Sequence, residues 1–100
     1  MTTRTTNLGV NLNKIRAANL TDRADRAVFV FDYLAPTSDA NEVRQRPLVR
    51  VIRNSLRRSE SGDWVFKGVN LYRIDDKKIS AADAVRTFRL DRINGLLHRP

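Results

Sequence analysis

Apolar residues run almost unbroken through the segment Ala27-Val28-Phe29-Val30-Phe31-Asp32-Tyr33, interrupted by Asp32 alone. Its β-branched and aromatic content predicts a well-buried strand. Upstream, Leu12 and Ile15 recur at helical spacing, with Leu20 further along the same side. Asn11 is placed to cap a short helix over Leu12 to Asn19. Residues 1–10 are polar and Thr-rich and are read as a flexible N-terminal arm, leaving residues 11–100 as a single domain. Ala35 to Asn41 has the residues of a loop. A second strand is predicted from Leu48 to about Asn54, where Val49 and Val51 alternate with Leu48, Arg50 and Ile52.

The turn Ser59-Glu60-Ser61-Gly62-Asp63 leads into Trp64 to Ile74, long enough to predict a strand bent near Gly68. The missing side chain there permits a bulge or a close backbone approach. Asp75 to Ala84 is a polar excursion in which Ser80-Ala81-Ala82-Asp83 has capping-box spacing. Val85 to Leu90, continuing toward Ile93, is the last predicted strand, with Asn94-Gly95 ending or turning it. One helix followed by four or five short strands predicts a mainly β fold, a small Sm- or SH3-like antiparallel barrel with a short N-terminal helix.

Composition narrows the function. The chain has 100 residues, 41% of them hydrophobic, which suits one modest core. Cysteine is absent, so thiolate catalysis and cysteine-ligated metal sites are excluded. The single histidine, His98, lies beside the C-terminus, and no carboxylates cluster with metal-ligand spacing. No catalytic residues, metal or cofactor are therefore expected, and the chain reads as a binding module and not an enzyme. No apolar run approaches the roughly 18 residues of a membrane span, and no signal sequence opens the chain, which predicts a cytoplasmic protein with no membrane partner.

The net charge is +8, from 19 Lys and Arg against 11 Asp and Glu, and arginine predominates. Such an excess attracts polyanions, and the planar guanidinium suits phosphate. One basic cluster spans Arg44, Arg46, Arg50, Arg53, Arg57 and Arg58; the four from Arg50 onward are expected to steer a ligand electrostatically. The other is Arg86, Arg89 and Arg92. Strand period 2 places Arg86, Phe88, Leu90 and Arg92 on one face, so Arg86 and Arg92 would flank the core and grip an anion bidentately. The competing expectation is that they pair with Asp32, Asp75 or Asp91. Trp64 and Phe66 are expected in the core, and Tyr72, beside Arg73, is the candidate for stacking on a base.

The stretch Arg86-Thr87-Phe88-Arg89-Leu90-Asp91-Arg92-Ile93 resembles the C-terminal signature of WYL domains, which closes a small Sm- or SH3-like barrel. The resemblance extends over about residues 12–97: a strand like Val28 to Tyr33, an arginine opening the next strand (Arg46), and Trp64-Val65-Phe66 where the Trp-Tyr-Leu triplet belongs. The chain departs from the pattern at Val65 and Phe66, lacks the usual proline near Arg50, and has a longer Asp75–Ala84 segment. It also has no room for the winged helix-turn-helix that commonly precedes such domains. The resemblance implies a ligand-sensing module of the kind found in transcription regulation and phage defence. Such a module would bind single-stranded nucleic acid or a nucleotide-type ligand through Arg46, Arg86, Arg89 and Arg92. The alternative is a protein-interaction module, a small phage- or plasmid-type factor docking on a host regulator or effector through its edge strands and arginines. A homo-oligomer is compatible with either.

Overall fold

The computed structural model describes residues 7–36, 42–72, 80 and 82–100. The chain is mainly β, with one helix at its N-terminal end and a seven-stranded antiparallel sheet among the described residues. In chain order the elements are α1 (Leu8–Leu20), β1 (Val28–Pro36), β2 (Glu42–Gln45), β3 (Leu48–Val51), β4 (Arg57–Arg58), β5 (Trp64–Asn70), β6 (Val85–Arg89) and β7 (Ile93–His98). Two single 3-10 turns precede β1 and β7. Among the described residues no helix is long and apolar enough to cross a membrane.

The strands β2 and β3 form one line beside β1. Tyr33 faces Gln45 and Phe29 faces Val49, a single register interrupted at Arg46-Pro47, where proline cannot donate to the ladder. On its other edge β1 pairs with β7, while β5 carries β3 and β4 on one edge and β6 on the other. The expected barrel does not close. β6 pairs with β5 and β7 with β1, and the turn Leu90–Arg92 between β6 and β7 interrupts what the alternation predicted as one strand to Ile93.

The strand expected to be well buried is β1, and its alternation sends Phe29, Phe31 and Tyr33 inward, where they meet Ile15, Ala18, Val49, Val51, Phe66, Phe88, Leu90, Ile93 and Leu97. Trp64 departs from expectation. It is only partly buried at the margin of this core, and the guanidinium groups of Arg58 and Arg16 lie 5.0 and 5.5 Å from its ring centroid. Its indole supplies a face for both cations, an arrangement that keeps the residue at the surface.

The helix starts earlier than predicted. Leu8 to Val10 belong to α1 and not to an arm, and Asn11 lies inside the helix, where it is 1% exposed. Its amide donates to the Gly95 carbonyl at 2.9 Å and accepts from the Leu97 N–H at 3.0 Å, so the helix is clamped to β7 by a fully used polar side chain. Gly95 therefore neither ends nor turns the chain. It sits within β7 at φ +74°, where the register against β1 shifts, and a residue without Cβ accommodates that backbone.

Gly68 is a close approach, as its position predicted. A Cβ there would press into Val49 Cγ1 and lie 3.3 Å from the Arg50 carbonyl oxygen. Gly68→Ala should lower stability by about 1–3 kcal/mol through overpacking, exceeding the gain of about 0.4–1 kcal/mol from a stiffer unfolded chain. Urea unfolding measures the net sign; an unchanged or raised midpoint would show that Val49 moves aside freely.

Of the remaining predicted segments, Thr37 to Asn41 and most of Asp75 to Ala84, with Arg73 and Ile74, lie outside the described residues. The capping pair is present: the Asp83 N–H donates to Ser80 Oγ at 3.2 Å, and Ser80 Oγ donates to Asp83 Oδ2 at 2.9 Å.

Candidate anion-binding cleft

Where the sheet fails to close, β6 faces the C-terminal half of β1 across a cleft of about 530 Å³. The size falls in the range of small-molecule sites. The side of β6 supplies Arg86, Thr87, Phe88 and Arg89; Tyr33 and Ala35 come from β1, and Arg92 from the 3-10 turn. The turn Ser59–Asp63, with Gln45, Val65 and Asn70, completes the lining. Its floor is aromatic, because Phe88 stacks on Phe66 at 5.5 Å and meets Tyr33 edge-on at 5.2 Å.

Arg86, Arg89 and Arg92 thus border one cavity, but they do so in different ways. Arg86 is exposed, and its guanidinium donates to the carbonyls of Asp83 and Val85 at 3.2 and 2.9 Å, which holds it at the rim. Arg89 is held as a bidentate partner of Asp91, at 3.0 and 2.6 Å, and also lies 3.4 Å from Asp63. The Asp91 carboxylate raises the Arg89 pKa above its ordinary value, so its charge is permanent. Arg92 is partly buried and donates to the Leu34 carbonyl at 3.3 Å. It reaches the cleft because the 3-10 turn redirects the chain, and not through strand alternation, which stops at Leu90.

Of the acids expected to compete for Arg86 and Arg92, Asp32 pairs with Arg44 and Asp91 with Arg89, while Asp75 lies outside the described residues. Arg46 is exposed in the break between β2 and β3. It does not line the cleft, although its neighbour Gln45 does. Tyr72 is 49% exposed and lies outside the lining; its N–H donates to Asn70 Oδ1.

The expected steering arginines divide between two places. Arg50 and Arg53 line a separate, smaller cleft of about 290 Å³ with Arg23 and Asp22, and Arg53 is ion-paired to Asp22. Arg57 and Arg58 are exposed on β4, with Arg57 opposite Val65 and therefore on the flank of the main cleft. They remain suited to long-range attraction.

Sequence reasoning missed Tyr33, Thr87 and the Ser59–Asp63 turn as parts of the site. Tyr33 was legible only as core. Its hydroxyl accepts the Arg89 N–H at 2.9 Å. Burial raises the phenol pKa, chiefly by desolvation, so Tyr33 stays neutral at physiological pH. The turn hydroxyls form a chain in which Ser59 and Ser61 lie 2.9 Å apart and Ser61 donates to Asp63 at 2.9 Å. Asp63 in turn faces Arg89, giving this end of the cleft a polar, partly neutralised wall. No family model, curated protein or solved structure was found to match this chain.

Proposed function

We propose that the chain is a WYL-like ligand-binding module that takes single-stranded nucleic acid or a nucleotide-type anion in this cleft. The observation that carries the reading is the convergence of Arg86, Arg89 and Arg92 on one cavity of ligand size. Three guanidinium groups around an aromatic floor combine phosphate recognition with an apolar surface for a base or sugar. The excess of +8 supports association with a polyanion at long range. Arg89 is largely satisfied by Asp91 and Asp63, so its share is positional, while Arg86 is the guanidinium most open to an incoming phosphate. Arg92 is partly buried in the lining and is held by the Leu34 carbonyl.

The test separates charge from geometry. Arg86→Lys keeps the charge but removes the planar fork, and should weaken binding of a fluorescent single-stranded oligonucleotide by about 1–3 kcal/mol, the scale of charge-assisted hydrogen bonds. Arg57→Lys should be nearly silent in the same anisotropy titration. Because Arg86 is exposed, its lysine variant should melt with the unaltered protein. Intact affinity in a folded Arg86→Lys variant would remove the cleft from the account.

A further inference from the structure

The backbone of β6 carries a donor and an acceptor that the sheet does not use. In an antiparallel ladder, residue pairs alternate between those that exchange hydrogen bonds and those whose backbone groups point outward. The pair Lys67–Thr87 is of the second kind. Lys67 shows it from one side: its N–H donates to Ser55 Oγ at 3.1 Å and its carbonyl accepts from the Ile52 N–H at 2.9 Å, both away from β6. Arg89, two residues beyond Thr87, shows it from the other, since its N–H leaves β5 for the Tyr33 hydroxyl. The N–H and C=O of Thr87 therefore face away from β5 on an edge that has no strand partner among the described residues. Thr87 is exposed and lines the cleft.

The neighbouring outward groups are already occupied. The Val85 N–H donates to the Ala82 carbonyl at 3.4 Å, the Val85 carbonyl accepts from Arg86, and the Arg89 N–H is held by Tyr33. Among the described residues no hydrogen bond is made to either outward group of Thr87. Among the described residues the stretch of edge without partners is one residue wide. An added β-strand is held by several such pairs in succession, whereas one planar group with an adjacent donor and acceptor needs only one.

We infer that the Thr87 edge reads a nucleobase, pairing its N–H and C=O with an acceptor and a donor on the base while the cleft arginines hold the phosphate. This rests on the nucleotide-binding reading above and deepens it: the base, and not the phosphate alone, is recognised. Discrimination by the edge requires no particular side chain at position 87, only the free N–H.

Adenosine 5′-monophosphate and ribose 5-phosphate serve as probes, titrated calorimetrically against the full chain. The unaltered protein should bind the nucleotide about tenfold more tightly, the worth of one or two net hydrogen bonds. Thr87→Pro deletes the outward N–H at an edge position that proline tolerates. It should bring the nucleotide down to the affinity of the sugar phosphate, while Thr87→Val should retain the preference. Independently of any variant, the Thr87 amide resonance should shift and saturate with the nucleotide and not with the sugar phosphate. Equal binding of both probes, a preference that survives Thr87→Pro, or an unmoved Thr87 amide overturns the inference and leaves the anion-binding cleft standing. Binding of neither probe overturns both, as does tighter binding of an extended acidic peptide than of the nucleotide.

Discussion

Phe88→Ala is expected to lower the stability of the domain by about 3–5 kcal/mol, the range for removing a buried aromatic side chain. Phe88 is 4% exposed and is the ring on which three others meet: it stacks on Phe66 and packs edge-on against Phe31 and Tyr33 at 5.7 and 5.2 Å. Truncation removes the transfer energy of the ring and leaves a hollow that β-strands cannot easily collapse into, with Gly68 directly beside it. Against a total of about 5–15 kcal/mol for a domain of ordinary stability, such a loss approaches unfolding. The same ring floors the cleft, so ligand affinity should fall with the folded fraction. Urea unfolding followed by Trp64 fluorescence measures the effect. A loss under about 1 kcal/mol would place the centre of the core elsewhere than this cluster.

The contrast between Phe88 and Trp64 shows how far the sequence could be read. Both are aromatic residues in strands, and both are expected inside. Phe66 and Phe88 lie in the core as expected, and Phe29, Phe31 and Tyr33 fill it from the strand expected to be well buried, because period 2 separates the two faces wherever a strand is long enough to express it. Trp64 opens β5 beside the two-residue β4, at the edge of the sheet, and there two arginines from other elements compete with the core for its ring. Those partners are 48 and 6 residues away in sequence, by subtraction of positions 16 and 58 from 64, and no local pattern encodes the meeting.

The helix starts earlier than the local pattern predicts for a similar reason. Asn11 has the chemistry of a cap, but its amide is engaged by β7 at the other end of the chain. The arginine cluster of residues 86–92 was legible as a cluster, and the cleft between β6 and β1 was not. The 3-10 turn that brings Arg92 to the cleft replaces strand geometry over Leu90–Arg92, a substitution that strand-favouring residues on either side conceal. The outward direction of the Thr87 N–H and C=O depends on ladder register alone, which a single sequence does not display.

Charge is distributed so that pairing and attraction fall to different arginines. Among the described residues Arg23, Arg44, Arg53 and Arg89 face carboxylates, and such surface pairs contribute little to stability, typically about 0–1 kcal/mol each. Arg86 stands exposed at the cleft rim and Arg57 and Arg58 on its flank, within a chain whose net charge is +8. A bound single strand that follows this surface would have about four phosphates neutralised, and each contributes a slope of roughly −0.7 to the dependence of log affinity on log salt.

The salt dependence of single-stranded oligonucleotide binding therefore tests the central claim most directly. Anisotropy titrations across a tenfold range of salt should give a slope near −3, a loss of about a thousandfold in affinity over that range. The slope should become shallower in a variant with Arg86, Arg57 and Arg58 all replaced by alanine. An affinity independent of salt, or no binding even at the lowest salt, would contradict the account and direct attention to a protein partner.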